Sequence, residues 1–62
     1  MEITLRAARV NAGLTQEQVQ ERLGISRSTL HRIETGKNSP KYKTLCDLCR
    51  LYGISTELIK KE

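Results

Sequence analysis

A three-residue unit, glycine followed by an apolar residue and then Ser or Thr, occurs three times in this chain of 62 residues. The copies are GLT at residues 13–15 and GIS at residues 24–26 and 53–55. Glycine takes the left-handed conformation that ends a helix, and the hydroxyl of Ser or Thr caps the next one. An apolar residue lies four positions after each cap, which is the spacing of a hydrophobic staple. The unit therefore predicts short helices joined by sharp turns.

The helical periodicity between these junctions predicts an all-α domain of five helices. They cover residues 5–12, 15–23, 26–35, 41–52 and 55–60. Thr4 is the candidate cap of the first helix, and Thr15 with Gln18 matches a capping box. No segment alternates as a strand does, and Phe and Trp are absent. A chain this short is expected to hold one domain, so residues 1–62 are predicted to form a single unit.

Apolar residues that share the inward faces of these helices are the candidate core. They are Leu5, Ala8, Leu14, Val19, Leu23, Ile25, Leu30, Ile33, Leu45, Leu48, Cys49, Tyr52, Ile54 and Leu58. Leu51 and Ile59 lie off these faces. They are either ordinary exposed apolar residues or, together with Leu58 in the last helix, part of a patch for a second subunit.

The two cysteines, Cys46 and Cys49, have the CxxC spacing that is typical of zinc and redox sites. A structural zinc site needs four ligands, and the one remaining soft ligand, His31, is predicted on a different helix. The strand and helix of a thioredoxin-like site are also absent. We therefore expect two reduced thiols, with Cys49 in the core, and neither a metal nor another cofactor.

No set of catalytic residues is assigned. His31 is the single histidine and has no acid near it that could orient it as a base, and there is no Gly-rich phosphate loop. We do not expect an enzyme or a small-molecule ligand. The sequence also lacks a signal peptide and an apolar run long enough to cross a membrane, so a cytoplasmic protein without membrane association is expected.

The positive charge is concentrated in one segment, residues 27–43. It contains five basic residues and one acid, so its net charge of +4 equals that of the whole chain. The basic residues are Arg27, Arg32, Lys37, Lys41 and Lys43. A localised positive field favours a nucleic acid or an acidic surface as partner, although a solvated basic rim is the ordinary alternative.

The third predicted helix has two unlike faces. Leu30 and Ile33 point to one side, while Ser28, His31, Arg32 and Thr35 point to the other. Arg27 lies in the first turn, where the helix dipole disfavours a cation by roughly 0.3–1 kcal/mol. Local stability does not explain this arginine, whereas an anionic partner outside the chain does.

A longer pattern surrounds this helix. Gln16 opens the second helix, Gly24 lies in the turn, and LHRIETGK at residues 30–37 is followed by Pro40. With Arg9 and GLTQ (13–16) before it and YGIS (52–55) after it, the pattern resembles the Cro and phage-repressor (XRE-type) helix-turn-helix regulators over nearly the whole chain. The resemblance implies a compact, lambda-repressor-like domain of five helices with the helix-turn-helix at helices 2 and 3.

The resemblance also implies roles for individual residues. The third helix would lie in the DNA major groove, with Arg27, Ser28 and Arg32 at base edges and with Thr29 and His31 at a base or a phosphate. Phosphates would be contacted by Gln16, Lys37, Asn38, Lys41 and Lys43. Arg9 would form a structural ion pair with Glu34. Gln20 departs from the family pattern, which has Ala at the close crossing of helices 2 and 3.

The predicted function is therefore sequence-specific binding of double-stranded DNA by a transcriptional regulator, expected to be a repressor. A homodimer on a two-fold operator is one possibility, in either a minimal regulator or the DNA-binding part of a longer protein. The alternative is a protein-interaction module on the same scaffold. RNA binding is disfavoured, because no outward aromatic residue besides Tyr42 is available to stack on bases.

Overall fold

The computed structural model describes residues 2–60, which form four α-helices joined by short turns. The helices are α1 (Leu5–Asn11), α2 (Gln16–Leu23), α3 (Arg27–Glu34) and α4 (Tyr42–Tyr52). Each begins and ends within one residue of its predicted bounds. The predicted caps Thr4, Thr15 and Ser26 each accept a hydrogen bond from a backbone N–H in the first turn that follows.

The turn between α2 and α3 requires a glycine because of its backbone conformation. Gly24 has a φ of 65°, in the left-handed region, and a Cβ atom there would meet nothing within 4 Å. Strain rather than space therefore selects glycine. On the other side of α2, Thr15 and Gln18 exchange both hydrogen bonds of a capping box, as predicted. Both ends of α2 are thus determined locally.

The prediction of a fifth α-helix is wrong. Residues Thr56–Leu58 form a 3₁₀ turn capped by Ser55, and the chain then becomes extended. The Ile3 N–H donates to the Leu58 carbonyl at 2.8 Å, and the Lys60 N–H donates to the Ile3 carbonyl at 2.8 Å. Such a short segment closes few α-helical hydrogen bonds, whereas pairing with the N-terminal segment satisfies backbone groups of both.

This extended end also reverses the predicted burial of two neighbours. Ile59 is 8% exposed and belongs to the core, whereas Leu58, predicted to be buried, is 41% exposed. Leu58 ends the 3₁₀ turn and Ile59 begins the extended segment, so the helical period no longer sets which of the two side chains faces the core. Leu51 is partly buried against the core. Ile59 is therefore not available for an exposed apolar patch.

The core lies between α1, α3 and α4 and is completed by α2. α1 packs against α3 and α4, α2 packs against α3, and the 3₁₀ turn packs on α4. The buried apolar residues are Leu5, Ala8, Val19, Leu30, Ile33, Leu48, Cys49, Tyr52 and Ile59. Another five of the predicted core residues are only partly buried: Leu14, Leu23, Ile25, Leu45 and Ile54. Between residues 2 and 60, no helix is both long and apolar enough to cross a membrane.

Candidate nucleic-acid interface

The outward face of α3 is polar and open to solvent. Leu30 and Ile33 are buried on its inner side. The five residues that were predicted to meet bases are all exposed: Arg27, Ser28, Thr29, His31 and Arg32. The apolar side chains fix the rotation of α3 in the domain, so these five residues form one continuous polar surface.

The first turn of α3 is ordered by a two-way contact between Ser26 and Thr29. The Ser26 hydroxyl accepts from the Thr29 N–H at 3.2 Å and donates to Oγ1 of Thr29 at 2.8 Å. The Thr29 hydroxyl is therefore engaged within the protein. The side chains of Arg27 and Ser28 lie in the same exposed turn.

The far end of α3 is held by a buried carboxylate. Nε of Arg9 donates to Oε2 of Glu34 at 2.7 Å, and Nη2 of Arg9 donates to Oε1 at 3.5 Å. Nη1 of Arg9 donates to the Leu14 carbonyl at 2.9 Å. One arginine thus connects α1 to α3 and to the turn that precedes α2. A bidentate pair of this kind fixes orientation as well as distance.

Gln16 joins the same network. Its Nε2 donates to Oε1 of Glu34 at 2.9 Å. The sequence pattern assigned Gln16 to a phosphate and did not predict this contact with Glu34. The sequence did hold a sign of it. The carboxylate of Glu34 can accept more hydrogen bonds than one arginine supplies, so a second donor is expected beside it. The contact ties the start of α2 to the end of α3, so the two helices of the motif are linked directly.

The chain folds back after α3. The N–H groups of Lys37 and Asn38 donate to the Arg32 carbonyl at 3.0 and 3.3 Å, and the Thr35 hydroxyl donates to the His31 carbonyl at 2.9 Å. The polar residues in and after this turn are exposed: Lys37, Asn38, Lys41 and Lys43. They follow α3 closely, with Lys41 immediately before the start of α4. The basic segment therefore continues the polar surface of α3.

Tyr52 lies beside the buried ion pair. Burial, and then the negative charge of Glu34, raise the pKa of Tyr52 to about 12, against the smaller opposing effect of Arg9. The Tyr52 hydroxyl is buried and has no hydrogen-bond partner among residues 2–60. This tyrosine is a core residue whose polar atom faces an unfavourable environment.

The two thiols are separate and unpaired with each other. Cys46 is half-buried and Cys49 is buried, in agreement with the predicted core position of Cys49. Burial, and then the proximity of Cys46, raise the pKa of the Cys49 thiol. Within residues 2–60, no three His, Cys, Asp or Glu side chains are grouped in a way that could hold a metal ion.

Gln20 does not separate α2 from α3. The two helices remain in contact, and Gln20 is half-buried at the wall of an open cleft. Arg27 and His31 line the same cleft. A polar side chain is tolerated at this crossing because it borders open space rather than the close-packed core.

Comparison with known proteins gives a family. The profile of a helix-turn-helix domain family matches residues 3–61. The SPbeta prophage-derived regulator YonR of Bacillus subtilis, named as an uncharacterized HTH-type transcriptional regulator, is 35% identical over 92% of this chain and 53% of its own length. An uncharacterized HTH-type transcriptional regulator of Methanocaldococcus jannaschii is 35% identical over 92% of this chain and 86% of its own length.

A phage protein is also similar. The cryptic phage CTXphi transcriptional repressor RstR of Vibrio cholerae is 36% identical over 81% of this chain and 45% of its own length. The chain thus spans about half the length of YonR and of RstR. No solved structure matches it. The matching profile, the similar regulators and the helices α2 and α3 identify the chain as a member of the helix-turn-helix family, of the XRE type found in DNA-binding transcriptional regulators.

Proposed function

We propose that this chain binds double-stranded DNA with sequence specificity and represses transcription, with α3 lying in the major groove. The observation that carries the proposal is the outward face of α3, where every side chain is polar and exposed while Leu30 and Ile33 are buried. An α-helix fits the major groove, and its polar side chains there meet donor and acceptor patterns that differ among base pairs.

Arg27 and Arg32 are the proposed base-reading residues. A guanidinium makes two hydrogen bonds to O6 and N7 of guanine, and such a pair is worth roughly 1–3 kcal/mol of discrimination. Ser28 and His31 share their exposed surface and are proposed to add contacts at base edges. Thr29 is a weaker candidate for a base contact, because its hydroxyl already accepts a 2.8 Å hydrogen bond from Ser26.

Backbone contacts are assigned to the residues around α3. Lys37, Asn38, Lys41 and Lys43 are exposed just after α3 and are proposed to bind phosphates. Gln16 uses one amide hydrogen on Glu34, and the second donor of an amide group remains for a phosphate. Phosphate contacts of this kind set affinity and register rather than sequence preference.

A dimer on a two-fold operator is part of the proposal, since proteins with this motif bind half-sites about one helical turn apart. Because Ile59 is buried, the proposed apolar contact reduces to Leu58, which is 41% exposed, with Leu51 partly buried. Repression is supported by the similarity to RstR, which is named as a transcriptional repressor. A protein that covers a promoter excludes other proteins from it.

The decisive experiment is selection from a random duplex library, followed by titration of the selected duplex over a range of salt. We expect one enriched motif and an affinity that falls steeply as salt rises. No enriched motif, or an affinity unchanged by salt, would overturn the proposal and favour a protein-interaction module instead.

Variants then separate the two kinds of contact. Arg27→Ala and Arg32→Ala should each relax base preference at one operator position, with roughly 1–3 kcal/mol of discrimination lost there. Lys41→Ala should weaken binding about equally across sequences and make the salt dependence shallower. A uniform loss in all three variants would contradict base recognition by the two arginines.

A further inference from the structure

A second cationic surface borders the outward face of α3. It is an open cleft of about 790 Å³ between α1, α2 and α3. Arg6 on α1 lines this cleft, and so do Arg27 and His31 on α3. The sequence pattern gave Arg6 no role, because α1 lies outside the helix-turn-helix. The fold nevertheless brings this arginine to the same cleft as the first turn of the recognition helix.

The cleft is positive even though two carboxylates lie in its wall. Glu34 is 3% exposed at its side chain and is neutralised by Arg9 at 2.7 Å. Glu17 is then the one remaining acid against the cations Arg6 and Arg27. The free N–H groups of the first turn of α2 add a partial positive charge at the same place. An anion entering the cleft therefore meets net attraction.

Arg6 is available for such an anion. It lies three residues before Arg9 on one side of α1 and is exposed, whereas the Arg9 side chain is only 12% exposed. Among residues 2–60, the ion pair found is that of Arg9 with Glu34, so Arg6 has no carboxylate within 4.0 Å there. The guanidinium of Arg9 is thus occupied by contacts within the protein, whereas Arg6 keeps its N–H donors for an anion.

We propose that Arg6 binds a phosphate of the DNA backbone next to the base pairs contacted by the first turn of α3. The inference rests on the proposed function, since it requires α3 to lie in the major groove. Arg6 then adds a contact from α1 to the proposed phosphate contacts at Lys41 and Lys43, which follow α3 in the chain. Both α1 and the segment that follows α3 then contact phosphates of the DNA backbone.

A phosphate is the expected ligand rather than a base edge. Arg6 belongs to α1, which packs beside α3 rather than within its outward face. When α3 occupies the groove, a long cationic side chain next to it reaches the groove wall first, and that wall is made of phosphates. Arg6 should therefore change affinity and salt dependence while leaving sequence preference intact.

The test uses the duplex selected by the wild-type chain and compares Arg6→Gln with a matched variant, Arg50→Gln. Arg50 is an exposed arginine of α4 that lines a different groove, with Asp47 and Leu51. We expect Arg6→Gln to reduce the slope of log affinity against log salt by about 0.9, the value for one lost phosphate contact. Arg50→Gln should change the slope much less, and Arg6→Lys should restore most of it.

A second measurement locates the phosphate. Single phosphates of the selected duplex are replaced by uncharged methylphosphonates, and affinity is measured for the wild type and for Arg6→Gln. We expect one position per half-site at which the replacement weakens the wild type but has little further effect on Arg6→Gln. Circular dichroism checks that both proteins are folded, and sedimentation checks that they share one oligomeric state.

The outcomes are separable. Equal slopes for Arg6→Gln and Arg50→Gln, or methylphosphonate effects that are additive with Arg6→Gln at every position, overturn the role of Arg6 and leave the proposed function standing. A change of base preference in Arg6→Gln overturns the phosphate assignment. A wild type that selects no duplex overturns the proposed function, and the role of Arg6 with it.

Discussion

Nε of Arg9 donates a 2.7 Å hydrogen bond to Oε2 of Glu34, and the two side chains are 12% and 3% exposed. The pair joins the first helix to the last residue of α3. Because Gln16 donates to the other carboxylate oxygen at 2.9 Å, three helices meet at one carboxylate. The position of the recognition helix is therefore set by a polar contact as well as by apolar packing.

Removing this carboxylate should destabilise the fold severely. Glu34→Ala leaves the guanidinium of Arg9 nearly buried without its partner, which typically costs about 3–5 kcal/mol. In a domain of this size that is a large share of the total stability. Urea unfolding followed by circular dichroism measures the loss. Glu34→Gln, which keeps the shape and one acceptor, should lie between Glu34→Ala and the wild type. A melting temperature equal to wild type in Glu34→Ala would show that the pair is irrelevant to folding.

Gln16 should contribute to stability as well as to DNA binding. Gln16→Ala removes a hydrogen bond to a charged, buried carboxylate, worth about 1.5–3 kcal/mol. Thermal unfolding without DNA isolates this effect from any phosphate contact. Gln18→Ala, which removes one half of the exposed capping box, is the comparison on the same helix and should cost less. If Gln16→Ala unfolds like the wild type, the contact with Glu34 does not persist in solution.

Two adjacent residues, Leu58 and Ile59, should differ in how much stability is lost when each is replaced by Ala. Ile59→Ala opens a cavity in the core and should cost about 2–5 kcal/mol. Leu58→Ala, at a side chain that is 41% exposed, should change stability by less than about 1 kcal/mol. Denaturant midpoints of the pair measure the difference. The reverse order would show that the last segment is helical in solution and that Leu58 is the buried residue.

Leu58 also tests the proposed dimer. Leu58→Asp should leave the fold intact and shift the sedimentation of the free protein toward the monomer, because the charge disfavours an apolar contact between subunits. Leu58→Ala should shift it less. A wild type that sediments as a monomer at all concentrations, both free and on a selected duplex that holds two half-sites, would contradict the proposed dimer.

Tyr52 should make stability depend on alkaline pH. Its pKa is raised to about 12 in the folded protein, above the ordinary value of about 10 in the unfolded chain. The unfolded chain therefore loses this proton first. The contribution of Tyr52 to the free energy of unfolding is constant below about pH 10. It falls between about pH 10 and 12, by up to about 1.4 kcal/mol per pH unit. The unfolding midpoints of the wild type and Tyr52→Phe should therefore move apart as pH rises through this range, with the smaller dependence on pH in the variant.

At neutral pH, Tyr52→Phe should stabilise the protein by about 1 kcal/mol, because the hydroxyl is buried without a partner among residues 2–60. A loss of stability in the variant would mean that the hydroxyl makes a favourable contact in solution.

Much of the fold follows from local chemistry. The positions of Gly24, Thr15 and Ser26 determine where α2 begins and ends and where α3 starts, because caps and left-handed turns involve neighbouring residues alone. The inward positions of Leu30 and Ile33 follow in the same way from the helical period. This is why the exposed face of α3 could be predicted residue by residue.

The C-terminal end could not be predicted in this way. The helical pattern of residues 55–60 is compatible with a helix, yet the segment pairs with Ile3, more than fifty residues away in the sequence. A hydrogen-bonded partner so distant in the sequence produces no periodic pattern of apolar residues within the segment. Because this segment is not an α-helix, Ile59 is buried and Leu58 is exposed, the reverse of the prediction. Ile59 therefore does not belong to the proposed dimer surface.

The sequence by itself determined the four helices, the caps Thr4, Thr15 and Ser26, and the polar face of α3, since each depends on contacts within a few residues. The tertiary structure alone decided the contact of Gln16 with Glu34, the pairing of Ile3 with Ile59, and the position of Arg6 at the same cleft as Arg27. These depend on how segments that are distant in the sequence come together, and that is set by the packing of the whole core rather than by any one stretch of chain.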